Sequence, residues 1–239
     1  MTDATPIDPT GATLLQVLAD LPPELPPGTP PGMPPGMPIA LPIALPIVLP
    51  IALPIALPIV LHVGCGVASP HKLPQAYFPP GGWQELRLDI DPGVSPDIVA
   101  SITDMVAMAD ASVDAVWSSH NLEHLWSHEV PVALAEFSRV LRPGGFVLLT
   151  MPDLQQVAGL VAAGQLEEPA YMSSMGPIAP LDILYGYRPA LALGNAFMGH
   201  KTGYTATSLA AHLTRAGFVG IRVERDGHFA LWATAVKPG

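Results

Sequence analysis

From residue 38 to residue 61 a proline falls at every fourth position. The units read Pro-Ile-Ala-Leu twice and Pro-Ile-Val-Leu once, and then the same twelve residues repeat. The stretch is 24 residues long and uncharged, so hydropathy alone would make it a membrane helix. The prolines argue against that. Each lacks an N–H and pushes the residue before it out of the α region, leaving backbone groups that lipid cannot satisfy. No Lys or Arg flanks the segment to orient it. Nor is it one strand, since at roughly 3.3 Å per residue it would run to about 80 Å. The expectation is an extended arm lying partly on the domain surface. Its last unit, Pro58-Ile59-Val60-Leu61, doubles as the first core strand, and the other units read as tandem copies of that one.

Upstream, Leu14, Leu15, Val17, Leu18 and Leu21 suit one short amphipathic helix over residues 10–21. Residues 22–38 are dominated by Pro-Pro and Pro-Gly pairs and read as a polyproline-like linker. The expected organisation is a Pro-rich, low-complexity arm over residues 1–57 and one domain over residues 58–239. The net charge is −10, with only 10 Lys+Arg and none before Lys72. That argues against nucleic acid and anionic membrane as partners. Cys65 is the sole cysteine, so no internal disulfide forms, and the N-terminus lacks the basic region of a secretory signal. Both suit the cytoplasm.

The run 59–63 is apolar, rich in β-branched residues, and ends in Gly64-Cys65-Gly66. That is the pattern of a buried parallel strand stopping in a tight turn. The two glycines let the backbone take φ > 0 and let a ligand approach it. Such a turn at the carboxyl end of a central strand is where doubly wound sheets bind nucleotides. Residues 69–82 hold Pro70, Pro74, Pro79 and Pro80, which limits the first crossover to a turn of helix at most. Residues 85–89 read as a second strand ending at Asp89, 25 residues after Gly64 and placed to accept both hydroxyls of a ribose. Residues 97–102 and 114–119 read as further strands. Helix is expected from about Asn121 and again over 131–141. Arg142-Pro143-Gly144-Gly145 is expected to end it as a turn before a fifth strand over 146–150. Strand–helix alternation implies a parallel sheet covered on both faces.

These motifs carry a resemblance. Val63-Gly64-Cys65-Gly66, Leu88-Asp89-Ile90-Asp91, Val113-Asp114-Ala115-Val116, Leu122-Glu123-His124-Leu125, residues 136–145 and Met151-Pro152-Asp153 stand in the order and spacing of a known family. The chain resembles a class I S-adenosylmethionine-dependent methyltransferase, nearest the methyltransferase type 11 group, over about residues 58–155. The resemblance implies an α/β fold: a Rossmann-like, doubly wound sheet of seven mostly parallel strands whose last strand is antiparallel. It implies S-adenosylmethionine as cofactor, with Gly64, Cys65 and Gly66 at its methionyl part, Asp89 on the ribose and Ile90 on the adenine. His62 stands where the family usually has an acid that helps position the methionyl amine, and the usual third glycine is Ala68. In the adenine loop, Ser101 or Ile102 replaces a frequent acid, with Asp104 as a candidate substitute. Ser119 and His120 are implied to line the methyl-transfer side.

The acceptor is expected to be a small molecule held by residues 153–204. In that segment Gly199 and Gly203 flank His200, whose ordinary pKa of about 6.5 suits a general base. His200 is therefore expected to reach across a cleft toward His120. Three rival readings remain at this point. His120-Asn121-Leu122-Glu123-His124 also fits the His-x-x-Glu-His pattern of inverted zinc peptidases, but a third ligand at a recognisable position is missing and no metal ligands are assigned. An NAD-binding Rossmann domain would want glycine at Ser69. A domain that keeps the fold without catalysis is suggested by His62 and Ala68.

Overall fold

A computed structural model describes residues 56–239 except Ser174. The expectations for residues 1–55, including the short helix, the linker and all but the end of the repeat, lie outside the described residues.

Strand β1 (Ile59–Val63) is followed by β2 (Gln84–Asp89), β3 (Ile98–Val99), β4 (Val113–Ser119), helix α1 (Val130–Val140) and β5 (Leu141–Pro152). Then come α2 (Leu154–Ala162), a hairpin of β6 (Tyr171–Ser173) and β7 (Gly176–Ile178), α3 (Pro180–Tyr185) and α4 (Arg188–Ala192). The chain closes with α5 (Ala206–Arg215), β8 (Val219–Arg225) and β9 (Ala230–Val236). Seven strands form one sheet in the order β3-β2-β1-β4-β5-β9-β8. β9 runs antiparallel to both neighbours and β1 through β5 pair in parallel. This is the expected sheet. Among the described residues, no helix is long and apolar enough to cross a membrane.

Side-chain alternation along the strands decides what each face buries. Leu61, Val63, Leu88, Val116 and Leu149 meet Leu134 and Phe137 of α1 and Leu209 and Leu213 of α5. Each such buried side chain contributes about 1.5–3 kcal/mol. On the other face, Val60, Ala115, Trp117 and Leu148 pack on Phe78, Leu73 and Trp83. No helix lies between β1 and β2. The prolines of that crossover forbid one, as expected, and an aromatic loop takes its place.

Two expectations about the sheet need correcting. β3 is only two residues long, because the Ser101 hydroxyl accepts from the Thr103 backbone N–H and Ser101 bridges to Asp104, which folds the chain out of the ladder. Arg142 to Gly145 is not a turn ahead of the fifth strand. Leu141 already pairs with Val113, and pairing resumes at Phe146 opposite Ala115, so the four residues between are an outsized bulge within β5. The bulge brings the Arg142 guanidinium onto the Asp114 carboxylate. That carboxylate also accepts the Ile59 N–H at 2.8 Å. A side chain at Gly145 would begin 2.8 Å from the Asp114 carbonyl oxygen.

Candidate active site

β1 ends in a turn with Gly64 at φ +61° and Gly66 at φ +56°. Every side of this turn is tied down. The Gly66 N–H donates to Asp89 Oδ2 at 2.7 Å, the Lys72 ammonium donates to the Cys65 carbonyl at 2.6 Å, and the Arg87 guanidinium donates to the Gly66 carbonyl. Asp89 stands at the end of β2 and also accepts the Asp91 N–H, at 3.0 Å. Over the turn lies a cavity of about 360 Å³ lined by Gly64, Gly66, Asp89, Ile90, Ile102 and Asn121. The Asn121 side chain sits against Gly64, where a Cβ would meet its Nδ2 at 2.6 Å. That amide nitrogen is buried and has no hydrogen-bond partner among the described residues. A backbone cradle, a carboxylate beside it and an orphaned donor aimed over it fit a ligand with hydroxyls and a polar tail.

Of the expected cofactor residues, His62, Cys65, Asp104 and Ser119 do not line this cavity, and Ser119 lines the second cavity described below. Leu61 and Val63 face the α1 side of the sheet, so alternation turns His62 to the opposite face. There its Nδ1 meets Glu85 Oε1 at 2.6 Å beside Trp117. Burial lowers its pKa, against an upward pull from Glu85. Asp104 is exposed and also away from the cavity, because the Ser101 turn carries it outward; Ser101 itself reaches the wall. Cys65 joins the turn through its backbone, whose N–H donates to the Leu88 carbonyl at 3.2 Å. Its thiol is buried, and that burial raises its pKa.

β4 ends at Ser119, and His120 takes a left-handed φ of +48°, uncommon for a residue with a side chain and frequent at functional sites. A short 3-10 turn, Leu122–His124, follows. Beside it a second cavity of about 640 Å³ is lined by Ser119, His120, His124, Thr150 and His200, among others. His120 and His124 line both cavities and form part of the wall between them. The β6–β7 hairpin, α3 and α4 supply the apolar far side, with Tyr171 stacked on Phe229 at 6.2 Å.

Glu123 lies beneath these histidines with 1% of its surface exposed. Its Oε1 accepts from His120 Nδ1 at 3.2 Å, while Oε2 has no partner. Burial alone would raise the carboxyl pKa, but the His120 hydrogen bond and the surrounding imidazoles hold it below the usual range. Burial likewise works against His120 carrying charge, yet Glu123 lifts its pKa above the ordinary value. His200 comes from far along the chain. The N–H groups of Lys201 and Thr202 donate to the Glu123 carbonyl at 2.8 and 3.2 Å, which sets the His200 ring 4.9 Å from that of His124. Burial lowers the His200 pKa.

Sequence reasoning did not single out Asn121 or Lys72, whose roles depend on packing against the glycine turn. It saw Glu123 and His124 as part of the resemblance and as a metal motif lacking a third ligand.

The family model described as "Methyltransferase domain" matches residues 61–149, which span the glycine turn, Asp89 and the wall between the cavities. Over these residues the chain is similar to methyltransferase domains. Its fold is similar to that of a SAM-dependent methyltransferase from Methanosarcina mazei, with 16% identity and a TM-score of 0.51 over 76% of this chain and 93% of that one. Over 95 residues, 37% of the chain, it is 34% identical to the malonyl-[acyl-carrier protein] O-methyltransferase of Dechloromonas aromatica (strain RCB). Over 68 residues, 28% of the chain, it is 40% identical to the dimethylglycine N-methyltransferase of Parasynechococcus marenigrum (strain WH8102). These matches span only 34% and 24% of those two relatives. The smaller cavity sits at the carboxyl ends of β1 and β2, where an open α/β sheet receives its nucleotide.

Proposed function

We propose that the chain transfers a methyl group from S-adenosylmethionine to a small molecule held in the larger cavity. The observation that carries this reading is the shared wall: two cavities of different character meet at His120 and His124. Asp89 accepts the ribose hydroxyls, Ile90 and Ile102 flank the adenine, and Gly64, Gly66 and Asn121 receive the methionyl part. The cofactor supplies a methyl group already activated on a sulfonium, so the protein mainly aligns, desolvates and removes a proton. The acceptor lone pair forms the bond to the methyl carbon. The carbon–sulfur bond breaks, and its electron pair stays on sulfur as a neutral thioether.

His120 takes the acceptor proton. Its Nδ1–H is held by a carboxylate that can only accept, which leaves Nε2 as the free base. His200 borders the acceptor. The mixed chemistry of the relatives, one acting at oxygen and one at nitrogen by name, leaves the atom methylated to the inference below.

Calorimetry with S-adenosylmethionine, its demethylated product and NAD tests the reading. The first two are expected to bind and NAD is not. Asp89→Ala removes charge-assisted hydrogen bonds of about 1.5–3 kcal/mol each, so cofactor affinity falls by at least about tenfold. Unchanged affinity in a folded Asp89→Ala protein would overturn the assignment.

A further inference from the structure

We infer that Glu123, His124 and His200 bind one divalent first-row transition metal ion of the zinc, manganese or iron class. On the methyl-transfer reading above, an acceptor oxygen completes its coordination. One ligand atom from each of the three residues lies within 4.8 Å of the others. Bonds of about 2.0–2.2 Å to one ion would bring such atoms to about 3–4 Å, a contraction that side-chain rotation supplies.

The hydrogen bonds already select the state in which these groups act as ligands. His124 Nδ1 donates to the Gly199 carbonyl at 3.2 Å, and His200 Nδ1 donates to the Ile183 carbonyl at 2.8 Å. A carbonyl can only accept, so both protons sit on Nδ1 and both Nε2 lone pairs are free. A backbone carbonyl behind an imidazole is the usual outer partner of a metal-bound histidine.

Glu123 is the second, independent observation. It is buried, and its Oε2 has no hydrogen-bond partner among the described residues. An unpartnered buried carboxylate oxygen is costly, and a cation among the three residues removes that cost. The scaffold is also fixed in advance, since the Glu123 carbonyl holds the Lys201–Thr202 backbone that presents His200.

Two imidazoles and one carboxylate suit zinc, iron or manganese better than magnesium or calcium, which prefer all-oxygen sets. Such three-ligand sets leave coordination positions open. His124 and His200 both line the larger cavity, so an open position there favours an acceptor hydroxyl or carboxylate. A metal-bound hydroxyl loses its proton more readily, which would favour methylation at oxygen.

The test uses the full, tag-free chain, stripped with chelator and titrated with Zn²⁺ and Mn²⁺ by calorimetry without cofactor. One equivalent of at least one ion is expected to bind and to raise the melting temperature. Glu123→Gln and His200→Ala are each expected to weaken binding by at least about 100-fold, the upper end of what loss of a mere outer-shell partner costs. His128→Ala, an exposed histidine on the same segment, leaves it unchanged. Absence of stoichiometric binding to the unmutated chain overturns the inference, as does binding that survives both ligand substitutions. Because the titration needs no cofactor, metal binding without S-adenosylmethionine binding would defeat the methyltransferase reading and leave the metal site standing.

Discussion

Replacing Gly64 by alanine separates a glycine that merely turns from one that makes room. Two costs act there. At φ +61° an L-residue with a side chain costs about 1–2 kcal/mol. The new Cβ would also lie 2.6 Å from Asn121 Nδ2, 2.7 Å from its Cγ and 3.2 Å from its Cβ. Three atoms of one side chain stand in the way, so rotating its tip is not enough and the whole group must move. Overpacking of that kind costs about 1–3 kcal/mol, for a total of about 2–5 kcal/mol. Gly164 is the matched control, since its φ is +78° and a Cβ there meets nothing within 4 Å. Gly164→Ala therefore reports the backbone cost alone. Denaturant unfolding of both variants gives the difference, and calorimetry with the demethylated cofactor gives its functional counterpart. Gly64→Ala is expected to lose the larger share of stability and at least about tenfold in cofactor affinity. Adding Asn121→Ala should return part of the stability and none of the affinity. If Gly64→Ala is no worse than Gly164→Ala in stability and binds normally, the cradle argument is wrong.

Asp182 governs one part of the acid response. Burial would raise its pKa, but Arg188 and the Ala179 and Arg188 N–H groups hold it below the ordinary 3.8. A depressed carboxyl stabilises the fold above the unfolded pKa, and that stability is lost as pH falls through the folded value. Melting temperature followed downward from pH 6 should therefore drop less steeply in Asp182→Asn than in the unmutated chain; identical slopes would remove Asp182 from the account. His120→Ala should lower turnover by about 10²–10⁴ while leaving calorimetric cofactor affinity intact, and an equal loss of both would make His120 a cofactor residue instead. Deleting residues 38–57 should leave a folded chain with unchanged cofactor affinity, because Pro58 to Leu61 still supply β1. Insolubility or loss of the thermal transition would show that the other units belong to the core.

What could be read from the sequence was local. A β-branched run meeting Gly64-Cys65-Gly66, and Asp89 closing the next strand, are short patterns whose geometry follows from the residues themselves. Period-two alternation along β1 also opposes a cavity role for His62, since Leu61 and Val63 are the residues that face α1; the resemblance drew attention to the position without its direction. The meeting of Glu123 with His200 was not readable in this way. It depends on backbone bonds from Lys201 and Thr202 to the Glu123 carbonyl, across a stretch that includes three-residue strands and five- and six-residue helices. Elements that short leave too few residues for a period to show. The bulge in β5 was hidden for another reason: Arg-Pro-Gly-Gly is chemically a turn, and only its partner strand reveals that pairing resumes beyond it.

The two anchors at the start of β1 bear on how this chain tolerates change in length. The Pro58 carbonyl accepts the Gln84 N–H at 2.9 Å, and Asp114 accepts the Ile59 N–H at 2.8 Å. Both act on the final unit of the repeat, and both donor–acceptor pairs are made with residues downstream of it. A four-residue unit spans two full strand periods, so adding or removing one returns an identical Pro-Ile to the same anchors with every side chain on its former face. Copy number can then drift without disturbing the sheet. The glycine turn alone distinguishes the last unit from its copies, so the domain keeps its phase however many units precede it.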